Sequence, residues 1–215
     1  MKISMIDIII LKYNVKEAED KCIKSVIKYT DVPYHLTVFD NYLYRHNIGK
    51  IWNRLINKSE SDYICLLNSD TEVSQSWLSK LLETFEKIEK VGCVGPSTDN
   101  CINQQKNKAE EVFIDFSKMY PGWCLSGFCL IFPKKIWEEV NKFPEDFGFY
   151  GQEVSLIDKI TALGYHQIWR TDVFIHHKKG ASIKKAQAAG EMNEEEERIK
   201  GRENYSKFRK ELHDN

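Results

Sequence analysis

The sequence predicts an α/β protein built on a mostly parallel, doubly wound sheet with helices on both faces. Three observations carry this. Short apolar runs at 6–11, 34–39 and 63–67 alternate with segments of helical period. The first run, Ile6–Leu11, is nearly continuous in β-branched residues, as suits a strand buried on both faces. Each run also stops at a polar step: Lys12-Tyr13-Asn14, Asp40-Asn41 and Asn68-Ser69-Asp70. In open α/β sheets, ligands bind outside the carboxyl ends of the strands.

Residues 16–29 read as a helix with Ala18, Cys22, Ile23, Val26 and Ile27 on one face, broken by Asp31-Val32-Pro33. Residues 48–56 form a short helix, and Trp77, Leu81, Leu82, Phe85 and Ile88 mark the apolar face of another. A short strand at 91–94 is expected to end before Gly95-Pro96, followed by a polar, irregular stretch over 98–122 with strand character at 111–116. Residues 124–132 read as a strand and 133–140 as a short helix. The segment Gly148-Phe149-Tyr150-Gly151-Gln152-Glu153 opens a helix with Leu156, Ile157, Ile160 and Leu163 as its apolar face, closed by Gly164. A last strand over 167–175 delivers His176-His177. Residues 1–183 make the expected main domain. Residues 184–215 make a charged helical extension that docks back through Tyr205, Phe208 and Leu212.

A chain of 215 residues suffices for one well-buried domain. A net charge of −1 gives no electrostatic case for nucleic acid or an anionic membrane. The six cysteines form no Cys-x-x-Cys pair and several lie in apolar runs, which predicts reduced core thiols and a cytoplasmic location. The opening residues read as a first strand rather than a signal peptide, and no apolar run approaches the roughly 20 residues of a membrane span.

Four places carry chemistry: Asp40, Asp70, the Gln152-Glu153 helix start and His176-His177. An Asp at a strand end can take a hard cation, which in turn holds a diphosphate, and a His can complete the set. Glu153 is a candidate general base, and the helix dipole there favours its ionised form. Plainer readings stand beside these. Asp70 can start a turn and cap the helix near Trp77, Asp40 can be a turn residue, and Glu153 can simply stabilise a helix start. Paired histidines alone are a weak metal signal. Trp123 and Trp169 are more often core than sugar platforms. Without a Gly-x-Gly-x-x-Gly or a Walker-type loop, Rossmann dehydrogenases and P-loop NTPases lose support. Ser126-Gly127 is not flanked as a nucleophile elbow.

In order, these pieces resemble the inverting glycosyltransferases of family 2, with the GT-A fold of nucleotide-diphospho-sugar transferases, over roughly residues 5–182. The first strand with Tyr13-Asn14 resembles the nucleotide-facing turn, and Asp40-Asn41 the acid that contacts the base. Asn47-Ile48-Gly49 and Asn53 resemble the Asn-x-Gly…Asn helix start. Leu66 to Val73 resembles the Asp-x-Asp-type segment, with Asn68 in place of the first acid. Ser126-Gly127-Phe128 resembles the acceptor-side strand. Phe147 to Leu156 is similar to the Gly-Glu-Asp-x-Asp-Leu segment that carries the base, with Gln152, Glu153 and Ser155 replacing its three acids. Gly164-Tyr165 and His176 to Ser182 resemble the closing strand and its metal-binding histidine.

The resemblance implies a divalent-metal-dependent, inverting hexosyl-type transferase. Asp70 with His176 or His177 would hold Mn²⁺ or Mg²⁺. Tyr13, Asn14, Asp40, Asn41, Asn68, Ser69 and Asp70 would bind the donor, and Glu153 would be the base. Lys178, Lys179 or Arg202 would add charge near the phosphates, and Trp123 would stack on an acceptor sugar. The implied donor is a nucleotide-diphosphate sugar such as a UDP-sugar, and the acceptor a glycan, a lipid-linked sugar or a protein. The replaced acids also motivate a non-catalytic nucleotide-sugar or glycan-binding module. A nucleotidyltransferase on a related fold is a third reading, opposed by the lack of a Gly-rich loop after Leu11.

Overall fold

Apolar runs alternate in the chain because they alternate between two cores. In the computed structural model, which describes residues 5–42, 47–147, 149–178, 180–191 and 193–214, Ile8 and Ile10 of β1 (Ile6–Lys12) face one cluster and Ile9 the other. The first cluster takes Cys22 and Val26 of α1 (Lys16–Tyr29) and Trp77, Leu78 and Leu81 of a later helix. The second takes Trp52 and Ile56 of α2 (Ile48–Asn57), with Trp137, Leu156, Ile157 and Ile160 from further along. A strand covered on both faces has no solvent side, so its sequence loses the alternation of a half-exposed strand.

The remaining elements are β2 (Tyr34–Asp40), β3 (Tyr63–Asn68), β4 (Thr71–Glu72), α3 (Trp77–Lys87), β5 (Val91–Ser97), β6 (Phe113–Asp115) and α4 (Phe116–Met119). After them come β7 (Cys129–Pro133), α5 (Lys134–Glu139), α6 (Gln152–Ala162), β8 (His166–Phe174), β9 (His176–His177), α7 (Ala181–Ala188) and α8 (Glu194–Asp214). The main sheet has seven strands in the order β2-β1-β3-β7-β5-β8-β6, and β4 pairs with β9 in a separate ladder. β1, β2, β3, β5 and β8 run one way, while β7 and β6 run against them. The mostly parallel, doubly wound sheet expected from the sequence is therefore present, with α1 and α3 on one face and α2, α5 and α6 on the other.

Three boundaries differ from the sequence reading. β5 continues through Gly95-Pro96 to Ser97. Among the described residues its pairing with β7 is Val94 to Ile131, so Pro96 lies beyond that ladder. The strand expected over 124–132 begins at Cys129. Upstream of it, side-chain amides replace the ladder: Gln167 Oε1 accepts the Leu125 N–H at 2.9 Å and Gln105 Oε1 accepts that of Ser126 at 2.7 Å. The strand at 111–116 shrinks to β6, because Asp115 caps the turn of helix that starts at Phe116. Trp169 is core, with its Nε1 donating to Ser97 Oγ at 2.9 Å.

The C-terminal helix docks against α6. Tyr205 donates its hydroxyl to Asp158 Oδ2 at 2.6 Å, and the Phe208 ring meets that of Phe147 edge-on at 5.9 Å. Gly201 lies inside α8, where glycine costs about 1 kcal/mol relative to alanine. A Cβ there would fall 2.9 Å from that of Tyr150, so the glycine buys close approach. The boundary expected at 183/184 falls inside α7. Among the described residues, no helix is long and apolar enough to cross a membrane.

Candidate active site

The carboxyl ends of β1, β2 and β3 open onto one cleft, lined among others by Tyr13, Asn41, Asn68, Ser69, Asp70 and Glu153. The turn after β1 is held by an acid the sequence reading did not single out. Glu19, 2% exposed, accepts the backbone N–H groups of Tyr13 and Val15 at 2.8 and 2.9 Å, and Lys12 Nζ lies 3.6 Å from it. Asn14 adopts φ 57°, is exposed, and its carbonyl takes a hydrogen bond from Lys185 of α7. After β2 the two neighbours separate. Asp40 is exposed and accepts the Tyr42 N–H at 3.1 Å, the geometry of a turn, whereas Asn41 is buried and lines the cleft. Asn41 Oδ1 has no hydrogen-bond partner among the described residues.

Beyond β3 the chain turns tightly, with Thr71 donating its hydroxyl to the Asn68 carbonyl at 2.7 Å. The β4–β9 ladder pairs Thr71 with His177 and Glu72 with His176. Strand alternation then decides which histidine turns inward. His177 Nε2 is 3.4 Å from Asp70 Oδ1, with the two side chains only 8% and 9% exposed. Its Nδ1 lies 2.9 Å from the Asn100 carbonyl, and Phe128 stacks on the ring at 5.1 Å. His176 is 69% exposed and pairs with Asp99 at 3.0 Å. The two histidines thus part company, and only His177 joins Asp70.

Glu153 stands in the first turn of α6, across the cleft. Its side chain keeps partial contact with solvent, yet protein crowds it closely enough that desolvation raises its pKa, against a smaller lowering from its own backbone hydrogen bond. The helix dipole was expected to favour the ionised form; here burial outweighs that stabilisation. Gly127 lies against the Glu153 side chain. α2 is fixed nearby by its cap, Asn47, which accepts the Lys50 N–H at 3.0 Å. Asn53 exchanges hydrogen bonds with the Phe143 backbone at 2.9 and 3.0 Å.

Of the cations the sequence suggests for the phosphates, Arg202 is exposed and paired with Glu195, Lys178 is exposed, and Lys179 lies outside the described residues. The guanidinium that lines the cleft is Arg198 of α8, 5.1 Å above the Tyr150 ring and 2.6 Å from Glu194. No signal in the acidic run around it pointed to that role. Trp123 is exposed and is not among the cleft's lining residues.

Residues 41–140 match the family model for glycosyl transferase family 2. The fold is also that of GalNAc-T7, in its crystal structure with UDP, GalNAc and Mn²⁺, at a TM-score of 0.61 and 12% identity over 82% of this chain and 44% of that one. The chain resembles the family 2 glycosyltransferases over residues 41–140 and shares the fold of this enzyme. Residues 1–349 of TarS from S. aureus superpose equally well, at a TM-score of 0.61 and 11% identity over 84% of this chain and 62% of that one. The chain spans about half the length of these structures. No curated protein matches the sequence. Both resemblances place the GT-A fold on this chain, as its sequence motifs implied.

Proposed function

We propose that this glycosyltransferase moves a sugar from a nucleotide-diphosphate sugar to an acceptor hydroxyl with inversion at the anomeric carbon. The observation that carries the reading is that Asp70 and His177 converge on one wall of the cleft while Glu153 faces it from another. Glu153 takes the proton of the acceptor hydroxyl. The freed oxygen attacks the anomeric carbon as the bond from that carbon to the diphosphate breaks, and the nucleoside diphosphate leaves. A pKa raised by burial suits a carboxylate to this work, since a base is most effective with a pKa near the working pH.

Asp70 and His177 fit a divalent ion such as Mn²⁺ or Mg²⁺. One carboxylate oxygen and one imidazole nitrogen point at each other in a nearly buried site, and the carbonyl of Asn100 leaves that nitrogen its lone pair. Among the described residues no three His, Cys, Asp or Glu side chains gather. The rest of such a coordination sphere would come from diphosphate oxygens and water, as is usual for Mg²⁺. When bound, the ion would stabilise charge developing on the leaving diphosphate. Asn41 would meet the nucleotide through its unpartnered Oδ1, with the Tyr13 and Ser69 walls beside it. UDP is the first nucleotide to try, and the acceptor class is a glycan, lipid-linked or protein hydroxyl.

The test is turnover of a panel of UDP-sugars with Mn²⁺ by wild type, Asp70→Ala and Glu153→Gln. Donor binding without transfer or hydrolysis in the wild type would replace this reading with a sugar-nucleotide-binding module. Full activity in Glu153→Gln would remove the base assignment.

A further inference from the structure

We propose that Asp99 is a positioning residue that presents the His177 ring to Asp70 by gripping the main chain of β9. This rests on the reading of Asp70 and His177 as the diphosphate and metal pair. Asp99 follows β5 by two residues, in a stretch that composition alone marks as irregular. Its Oδ1 accepts the backbone N–H of His177 at 2.9 Å, and its Oδ2 lies 3.0 Å from His176 Nδ1. One carboxylate therefore holds two consecutive residues of a strand that pairs with β4 over only two positions. Main-chain hydrogen bonds hold the chain on either side, from the Ile175 N–H to the Ser97 carbonyl at 3.0 Å and from the Lys178 N–H to the Asp70 carbonyl at 2.9 Å, and Asp99 holds the two residues between them.

The next residue completes the arrangement. The Asn100 carbonyl is 2.9 Å from His177 Nδ1, and a carbonyl can only accept. Nδ1 therefore carries a proton, and whenever the ring is neutral Nε2 keeps its lone pair. Nε2 is the atom 3.4 Å from Asp70 and 3.5 Å from Asn68 Nδ2. Asp99 is itself braced: the Thr98 hydroxyl donates to its Oδ1 at 3.3 Å and accepts the Asn100 N–H at 3.4 Å. Phe128 fixes the ring plane from the side, stacked within 19°. On this geometry His176 is a second handle for Asp99 and not a partner of Asp70.

The experiment pairs nitrogen-resolved NMR of the histidine rings with titration of Mn²⁺ in the presence of UDP, in wild type, Asp99→Ala, Asp99→Asn and His176→Ala. In wild type, His177 shows the Nδ1-protonated tautomer. Asp99→Ala loses that fixed signature and binds Mn²⁺ with UDP about tenfold more weakly, the usual scale for a partner outside the ligand shell. Asp99→Asn keeps an oxygen for the His177 N–H and recovers to within about threefold of wild type, and His176→Ala stays there too. Unchanged ring signals and Mn²⁺ affinity in Asp99→Ala would overturn the proposal. A loss in Asp99→Asn equal to that in Asp99→Ala would overturn the main-chain grip. If the wild type binds no Mn²⁺, the metal reading fails by itself, and the tautomer of His177 in Asp99→Ala still decides the positioning role. Asp99→Ser carries the same comparison if the alanine variant does not fold.

Discussion

Gly127 leaves room for Glu153 and for nothing larger: a Cβ at position 127 would sit 2.6 Å from Glu153 Cγ and 2.9 Å from its Cδ. Gly127→Ala therefore displaces the carboxylate while sparing Asp70 and His177. On the proposed mechanism, kcat falls by about 10²-fold, the scale of a misplacement near 1 Å, with donor KM and melting temperature close to wild type. Steady-state kinetics together with a thermal melt separate this outcome from a general loss of fold.

Glu153→Gln keeps the shape of the side chain and removes the base. Turnover is expected to drop by roughly 10²–10⁴-fold with donor binding retained. If Glu153 is the proposed base, its protonation silences the wild type, so the acid limb of kcat/KM lies above the ordinary carboxylate range, because burial raises this pKa. A pH–rate profile from acid to neutral checks it, and a limb at the ordinary Glu value would contradict it.

The same shift has a stability sign. A carboxyl whose pKa is raised on folding contributes stability that is fully present below its unfolded pKa and is lost as pH rises through the folded value. Glu153→Gln should therefore melt higher than wild type near neutral pH, with the difference closing in acid. Equal melting temperatures across that range would count against a desolvated Glu153.

Asn41→Ala removes a buried acceptor that has no protein partner among the described residues. If Oδ1 meets the nucleotide, UDP binding weakens by about tenfold, since one hydrogen bond is worth about 1–1.5 kcal/mol. Asp40→Ala, on the exposed neighbour, should change it little. Calorimetry of both variants tests the separation.

Tyr205→Phe tests the docking of α8 on α6. Losing the 2.6 Å hydrogen bond to Asp158 should cost about 1.5 kcal/mol in denaturant unfolding, as for a hydrogen bond to a charged group that is partly buried. No change would mean that the other contacts of α8, such as Phe147–Phe208 and the hydrogen bond from Asn204 Nδ2 to the Asp146 carbonyl at 3.1 Å, hold the helix without it.

Much of this was legible in the chain because apolar period and strand-end polarity are local signals. Ile6–Leu11 and Tyr63–Leu67 announced buried strands, and Asn68-Ser69-Asp70 announced a polar edge. What stayed hidden depends on contacts between distant residues. Nothing local says that Gln105 and Gln167 cap the backbone before β7, or that Glu19 reaches back to Tyr13. The choice between His176 and His177 is a matter of strand register, which sequence leaves open until the β4 partner is known. Likewise, whether the dipole or burial governs Glu153 depends on what packs over it, and that includes a glycine from another strand's approach.

β7 runs against both its neighbours, β3 and β5. Its beginning, rather than its end, therefore meets the carboxyl edge of β3, and Phe128 accepts the Asn68 N–H there at 2.8 Å. The cleft rim thus joins strand ends of the first half, from Tyr13, Asn41 and Asn68 to Asp70, with the chain entering β7 at Ser126 to Phe128, and Glu153, His177 and Arg198 close it from later elements. On the proposed function, exchanging Ser126 would vary the wall beside Gly127 and Glu153 and leave the strand ends of the first half untouched, which makes the entry to this reversed strand the natural place to retarget the cleft toward a different hydroxyl.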